Sequence, residues 1–313
     1  MTLPTFTIVP NGPFSLAEAA TFGFGQRAAG HWDGTMRLAF CLDGYATQVG
    51  VQVRQDDSGD VRCVVHGPTE PDVDAVSRQV ARVLSLDHDG EEFTAIGKRD
   101  PVIGRLQAAA PGLRPPLFYS PYEAAAWSVL SARRPARQMM AVRQRLSEAH
   151  GRTFELAGQQ AAAFPTPEAL LAVESFPGIP AAKLGLLRGV AEAAIGGQLD
   201  AAGLMALGPD PAMAKLQQIK GIGPFYSSLI VIRGTGFADV LPVAEPKALA
   251  LTARLYDAAA PLTESEFRAI AEPWRPLRTW AIVLIRAAGP RVLGDQQAVG
   301  YAPVQPAGLA AVS

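Results

Sequence analysis

The sequence LQQIKGIGPFYSSLIVIRG, from Leu216 to Gly234, places a short glycine turn between two helical segments. Gly221 and Gly223 reach backbone conformations closed to other residues, and Ile222 between them can anchor the turn against the helices. Pro224 stands where a helix can begin, because the N–H group that proline lacks has no intrahelical partner there. Backbone N–H groups at such a turn point outward together, which predicts a binding site for a phosphate oxygen.

The chain on both sides of this turn has helical spacing of apolar residues from about Pro101 onward. Proline and glycine mark most of the boundaries between the segments. The predicted helices are Tyr122–Leu130, Gln138–His150, one beginning near Pro167, Ala181–Ile195, Pro211–Gln218, Pro224–Gly234, Pro246–Ala258, Glu264–Ala271 and Leu277–Ala288. From Asp295 the composition predicts a disordered tail.

The first part of the chain has a different pattern. Residues 36–43 and 49–53 alternate between apolar and polar side chains, and DDSGD (56–60) turns the chain into a third alternating segment, 61–65. Period-two alternation with turn residues at the tip predicts antiparallel strands. Asp72–Leu86 has apolar residues at helical spacing. The sequence therefore predicts a small antiparallel sheet with helices on it.

Several blocks, taken in chain order, resemble a known family. They are APGLRPP (110–116), FPGIPAAKLGLLRGVAEAA (176–194), LQQIKGIGPF (216–225), RGTGFADVLPVAEPKAL (233–249) and AEPWRPLRTWAIVLIRAAG (271–289). Together they resemble the helix-hairpin-helix DNA glycosylase superfamily, in its 3-methyladenine DNA glycosylase II (AlkA-type) branch. The last block is similar to that branch's ER-W-x-P-x-R helix motif, and the resemblance covers roughly residues 5–290.

The resemblance implies an α+β fold in two parts. Residues 1–97 are expected to form a TATA-binding-protein-like antiparallel sheet domain. Residues 98–294 are expected to form an all-α helix-hairpin-helix glycosylase domain, followed by the tail at 295–313. The family's members suggest a monomer acting on double-stranded DNA.

The implied activity is that of a monofunctional DNA glycosylase of base excision repair acting on an alkylated base, with purines as the expected class. Such an enzyme extrudes the base from the stack and places a carboxylate near the sugar, where positive charge develops. The resemblance puts Glu245 at the carboxylate position, three residues after Pro242, although the family has Asp there. The longer side chain leaves two alternatives, a productive carboxylate or a surface acid at a helix start. A catalytically impaired helix-hairpin-helix DNA-binding protein is the alternative function.

The resemblance also implies the DNA-contacting residues. Superfamily members that form a Schiff base with the sugar carry Lys where this chain has Phe225, so lyase chemistry is not predicted. Arg133 occupies the position of the wedge that enters the vacated base stack, where it could stack, contact a phosphate or lie exposed in solvent. The predicted DNA-binding residues are Arg133, Arg134, Lys220, Gly221, Ile222, Gly223, Phe225 and Lys247.

The aromatic residues expected of a purine pocket are only partly present. Trp127, Tyr226, Trp274 and Trp280 are available, and the position of a late stacking Trp is occupied by Arg286. An aromatic side chain on a helix is more often part of the core than a stacking surface. The predicted pocket residues are Trp127, Tyr226, Trp280 and Arg286, and the altered set suggests an altered substrate or lost activity.

The net charge of −1 hides an uneven distribution. Residues 1–97 hold 13 acidic against 6 basic residues, residues 98–150 hold 3 against 9, and the remainder is balanced at 13 each. The basic stretch clusters at Arg133, Arg134, Arg137, Arg143 and Arg145. This arrangement is typical either of a surface that faces a polyanion or of a solvated helical face.

Other site types are not predicted. The four histidines are scattered, and two cysteines are too few for a four-thiolate site, so we expect no metal and no cofactor. Cys41 and Cys63 lie in predicted strands, and we expect them to be buried free thiols rather than a disulfide. No signal peptide or membrane-spanning stretch is evident, which predicts a cytoplasmic protein without a membrane partner.

Overall fold

The computed structural model of the chain describes residues 3–22, 32–67, 71–243, 245–258 and 261–295. A four-stranded antiparallel sheet is followed by a series of helices, which confirms the predicted fold class. The tail predicted from Asp295 falls outside the described residues except for Asp295 itself, which pairs with Arg254.

The sheet is formed by the first four strands in the order β1-β4-β3-β2, all antiparallel. The strands are β1 (Thr5–Ile8), β2 (Met36–Cys41), β3 (Gln48–Gln55) and β4 (Val61–His66). The alternation that predicts β2, β3 and β4 also sets their register, with Leu38 opposite Val51. The short strand β1 was not predicted, and it adds to the free edge of β4.

Both faces of this sheet are covered. On one face, residues of β2, β3 and β4 pack against helices α1 (Leu16–Thr21) and α2 (Val73–Val83). The other face receives a second hairpin, β5 (Thr153–Leu156) and β6 (Gln159–Ala162), which the sequence did not predict. A Cβ atom on Gly50 of β3 would lie 2.7 Å from the Phe154 ring, so only glycine fits there without displacing this hairpin. The sheet and the helical part therefore share a packed interface.

The helices beyond α2 begin and end close to the predicted boundaries, and three of them, α3, α4 and α9, were not predicted. They are α3 (Gly90–Arg99), α4 (Pro101–Ala109), α5 (Pro121–Ser131), α6 (Ala136–His150), α7 (Pro167–Leu171), α8 (Ala181–Ile195), α9 (Ala201–Leu207), α10 (Pro209–Leu216), α11 (Pro224–Ile230), α12 (Pro246–Leu255), α13 (Glu264–Ala271) and α14 (Arg278–Val292). Helix α11 continues without a break into a π-helical turn, Val231–Thr235.

The helices pack into two hydrophobic clusters. The first is built mainly by α5 to α11 and also includes Cys41 of β2 and Tyr45. The second combines α3 and α4 with α12 to α14. Helix α3 runs across the domain boundary predicted at 97/98, and its Phe93 belongs to the second cluster. Helices α3 and α4 thus pack together with the last helices of the chain.

Two buried arginines hold the connections between these units. Arg114, which is 1% exposed, donates to the main-chain carbonyls of Asn11, Gly12, Pro13, Ser85 and His88. Arg233, in the π-helical turn, donates to the carbonyl of Pro116 and lies over the Phe22 ring. The main-chain carbonyls of these irregular segments thus accept hydrogen bonds from the two arginine side chains. Among the described helices, none is both long and apolar enough to cross a bilayer.

Candidate active site

Helices α10 and α11 form the hairpin that the glycine turn predicts. Ile222 is buried in the first cluster, whereas Lys220 and Phe225 are exposed. Gly221 has a φ of 96°, in the region that favours glycine, and Ile222 donates its N–H to the carbonyl of Ile219. The apolar tip of the turn thus fixes the hairpin between its helices and leaves the glycine backbone at the surface.

The hairpin presents backbone donors at its surface. Within the described part of the chain, the N–H groups of Gly221 and Gly223 have no hydrogen-bond acceptor. Phe225 is 54% exposed, and its ring meets the neighbouring Tyr226 ring edge to face, with 5.3 Å between the ring centroids. Free amides beside a helix start are suited to an anionic oxygen.

The π-helical turn after α11 is followed by Gly236, which has a φ of 100°, and three residues later by Asp239. Asp239 accepts from Arg275 at 2.8 Å and from Arg278 at 2.7 Å. Arg278 also donates to the main-chain carbonyl of Asp239 at 2.8 Å. The loop that leads to Glu245 is therefore fixed to the start of α14.

Glu245 immediately precedes α12, which begins at Pro246 as predicted. Its side chain makes no capping hydrogen bond to the helix. Instead one carboxylate oxygen, Oε1, accepts from Nη1 of Arg286 on α14. The Glu245 and Arg286 side chains are 20% and 24% exposed, so the pair is largely withdrawn from solvent without being sealed from it. The second carboxylate oxygen, Oε2, has no hydrogen-bond partner among the residues that the structure describes.

The position predicted for the wedge is a tight turn after α5. Arg133 has a φ of 55°, unusual for a residue other than glycine, and both Arg133 and Arg134 are exposed. The Lys183 ammonium donates to the carbonyls of Leu130 at 2.7 Å and Ala132 at 3.1 Å, at the end of α5. Burial and the nearby Arg134 lower the pKa of Lys183. Lys183 therefore holds the turn that displays Arg133.

The predicted pocket aromatics fall into two groups. Trp127 on α5 and Tyr226 on α11 are partly buried on neighbouring helices. Trp280 is 2% exposed and packs against Phe93 and His88, with the Arg114 guanidinium 5.8 Å from its ring. This environment favours a core role for Trp280.

Trp274 is also in the core. It is fully buried, and its indole N–H donates to Asp100 at 2.9 Å and to Tyr256 at 3.1 Å. Asp100 in turn accepts from the Tyr256 hydroxyl at 2.6 Å, and burial together with this bond raises the pKa of Tyr256. Trp274 thus ties α12 to the start of α4.

The basic stretch at 133–145 is less uniform than its sequence suggests. Arg143 is buried and pairs with the fully buried Glu123 at 2.5 Å. Its charge is therefore compensated inside the first cluster and does not contribute to a surface that faces a polyanion. Arg133, Arg134, Arg137 and Arg145 are exposed, as are Lys220 and Lys247.

No family model matches the chain. In sequence it is 26% identical, over 224 residues, to the probable bifunctional transcriptional activator/DNA repair enzyme AlkA of Mycobacterium tuberculosis. That alignment covers 71% of this chain but only 44% of the relative, so the chain spans less than half of that protein's length.

In structure the chain is similar to the 3-methyladenine DNA glycosylase of Archaeoglobus fulgidus, with a TM-score of 0.71 and 22% identity. The superposition covers 90% of this chain and 96% of that one. The chain has the helix-hairpin-helix DNA glycosylase fold. The same fold relates it to the Clostridium acetobutylicum 8-oxoguanine glycosylase/lyase in complex with double-stranded DNA, with a TM-score of 0.67, 18% identity and coverage of 91% and 94%. The resemblance identified from the sequence motifs is thereby confirmed.

Within the helix-hairpin-helix glycosylase fold, sequence reasoning missed the contacts that hold the site in place. The pairing of Glu245 with Arg286 joins two positions that were each noted as departures from the family. The signal for it was an arginine in the otherwise apolar run WAIVLIRAA of α14. A charge in such a run needs a compensating partner. Lys183 and Asp239 lay in quoted motifs, but their partners depend on tertiary structure.

Proposed function

We propose that the chain is a monofunctional DNA glycosylase of base excision repair that hydrolyses the N-glycosidic bond of an alkylated base, of the purine class, flipped out of double-stranded DNA. It acts as a monomer. The observation that carries the proposal is the partly buried carboxylate of Glu245, which stands at the start of α12 on a loop that is bonded to α14. The confirmed fold and the names of its relatives supply the reaction class.

The hairpin would hold the DNA. The exposed amides of Gly221 and Gly223 are suited to one phosphate, and the exposed Lys220 beside them and Lys247 on α12 supply positive charge. On this proposal Phe225 lies against the backbone at the same contact. Arg133 and Arg134, at the turn after α5, would contact the duplex where the base has left the stack. A structural relative bound to double-stranded DNA supports this choice of partner.

Glu245 would act on the sugar. As the bond between C1′ and the base lengthens, positive charge develops on the sugar ring, and a carboxylate beside it stabilises this charge. The same carboxylate can accept a proton from the water that adds to C1′. Trp127 and Tyr226 are the candidates to line the pocket for the extruded base. Phe225 in place of a lysine leaves no amine there for a Schiff base, which is why the proposal is hydrolysis alone.

The experiment is base release from duplex oligonucleotides that each carry one alkylated base: 3-methyladenine, 7-methylguanine or 1,N6-ethenoadenine. We expect release of at least one base by the full chain and a loss on the order of a hundredfold or more in Glu245→Gln. DNA binding by the variant, measured by fluorescence anisotropy at low salt, should be retained. Intact binding without release from any duplex would instead indicate a non-catalytic DNA-binding protein.

A further inference from the structure

The Glu245–Arg286 pair places a fixed positive charge beside the proposed catalytic carboxylate. Within the described residues, Nη1 is the one Arg286 nitrogen with a protein acceptor. The other guanidinium N–H groups remain able to donate, and the side chain is neither sealed in the core nor fully solvated. Guanidinium stays protonated at all physiological pH values, so the charge is permanent.

This charge distinguishes two kinds of alkylated base. A base such as 7-methylguanine is cationic while it is attached to the sugar, and a guanidinium beside it adds repulsion. A base such as 1,N6-ethenoadenine is neutral and exposes ring nitrogens that accept hydrogen bonds. Arg286 has donors left for such an acceptor, so the ground-state contacts favour the neutral base.

The transition states for release of the two kinds of base also differ in a way that favours the neutral base. When the bond from C1′ to a neutral base breaks, the electron pair leaves with the base, so the sugar becomes positive and the base negative. A carboxylate facing the sugar and a guanidinium facing the base match these two charges. A cationic base departs as a neutral molecule, and the guanidinium then has no developing charge to stabilise.

We propose, on the basis of the glycosylase function argued above, that Arg286 makes the site selective for neutral alkylated purines over cationic ones. In the reaction the bond from C1′ to the base breaks and the oxygen of water bonds to C1′. Glu245 accepts one proton of that water and afterwards releases it to solvent, and the departing base anion, held by Arg286, takes up one proton from solvent. Arg286 is thus a specificity-determining residue for the leaving group.

The test compares single-turnover release of 1,N6-ethenoadenine and 7-methylguanine from duplexes of one sequence, by the full chain and three variants. Arg286→Met removes the charge and keeps much of the volume, and Arg286→Lys keeps the charge. Arg291→Met is the matched control, because Arg291 lies on the same helix but pairs with Glu18 at 2.9 Å. Using the ratio of the two rates removes any general effect of a variant on Glu245 or on folding.

We expect the unmodified chain to release ethenoadenine at least tenfold faster than 7-methylguanine. Arg286→Met should reduce this ratio at least tenfold, whereas Arg286→Lys and Arg291→Met should keep it. Faster release of 7-methylguanine by the unmodified chain, or an unchanged ratio in Arg286→Met, overturns the role of Arg286 and leaves the glycosylase function standing. Release of no alkylated base at all overturns both.

Discussion

Asp239 and Arg278 are joined by four hydrogen bonds. The Arg278 guanidinium donates three of them, to both carboxylate oxygens and to the main-chain carbonyl of Asp239, and the Arg278 main-chain N–H donates the fourth to the carboxylate. Eight residues further along α14, Arg286 pairs with Glu245. Eight residues of α-helix span about 12 Å. One rigid helix therefore holds both ends of the segment 239–245, and the position of the Glu245 carboxylate is set by α14 at two points.

Asp239→Asn is expected to weaken one of these two attachments. The amide cannot accept two charged donors as the carboxylate does, so we expect a loss of about 1–3 kcal/mol in the free energy of unfolding. Base release should fall at least tenfold, because a displacement of about 1 Å in a catalytic group has a large effect on rate. Urea unfolding and single-turnover release measure the two effects. Asp57→Asn, in the exposed hairpin turn, is the control, and equal rates in both variants would contradict the positioning role.

The two hairpin glycines should respond differently to substitution. Gly221 has a φ of 96°, so Gly221→Ala strains the turn by about 1–3 kcal/mol and should weaken DNA binding. Gly223 has a φ of −91°, and no atom lies within 4 Å of an added Cβ, so Gly223→Ala should fold normally.

Gly223→Glu extends the same comparison. Its side chain fits the open space but places a carboxylate where a phosphate is proposed to bind, so affinity for duplex DNA should fall at least tenfold at low salt. Anisotropy titrations at two salt concentrations, with thermal melts of each variant, make the measurement. If Gly223→Glu binds as tightly as Gly223→Ala, the hairpin is not the phosphate contact.

The buried pair of Glu123 and Arg143 should be sensitive to the loss of one partner. Glu123→Ala leaves the Arg143 guanidinium buried without its carboxylate and is expected to destabilise the fold by about 3–5 kcal/mol. Replacing both residues, as Glu123→Ala with Arg143→Met, should recover a large part of this loss, because neither charge of the pair then remains buried. A double-mutant cycle from urea unfolding gives the coupling energy. Additive effects of the two substitutions would show that the pair is not coupled.

The two cysteines should be unreactive while the protein is folded. Burial raises the pKa of Cys63 to about 12, and burial, with the nearby Glu123 charge, also raises the pKa of Cys41. Since the thiolate is the nucleophile, iodoacetamide at pH 8.5 should label both residues in 6 M guanidinium chloride and neither in buffer. Mass spectrometry measures the labelling, and rapid modification of either thiol in the folded protein would contradict this.

The same shifts predict a pH dependence of stability. Unfolded thiols lose their protons above about pH 8.5, whereas the folded ones keep theirs until higher pH. The folded state then binds more protons than the unfolded state. The contribution of the buried thiols to the free energy of unfolding is therefore fully present below pH 8.5 and is lost as the pH rises toward 12. The urea midpoint should decrease from pH 8 to pH 10, and less steeply in Cys63→Val. Parallel curves for the two proteins would contradict the assignment to this thiol.

Much of the architecture could be predicted from local patterns. Alternation gave strands β2 to β4, and proline and glycine boundaries gave most helices, because both signals depend on residues close in sequence. Strand β1 and the β5–β6 hairpin were missed, since each is only four residues long and is held by packing on a distant part of the chain. Helices α3 and α4 were missed for a related reason: Asp100 and Pro101 separate them, and their apolar faces pack on helices near the far end of the sequence.

The candidate site was predictable in its positions but not in its pairings. Motif spacing indicated Glu245 and drew attention to Arg286, and the turn chemistry indicated Gly221. That Glu245 and Arg286 meet, that Arg143 is withdrawn from the surface by Glu123, and that Trp280 is enclosed by Phe93 and Arg114 are properties of the packed fold. Charge counts along a sequence do not distinguish a solvated arginine from a buried one.

The second hydrophobic cluster combines helices that come before and after α5 to α11 in the sequence, and this has a consequence for folding during synthesis. During synthesis α3 and α4 emerge long before α12 to α14, with helices α5 to α11 translated in between. Their apolar faces stay uncovered until the last helix leaves the ribosome, because their packing partners do not yet exist. Glu245, at the start of α12, meets Arg286 only in that final step. An incomplete chain therefore carries the hairpin that is proposed to bind DNA before it carries the ion pair at the proposed catalytic carboxylate.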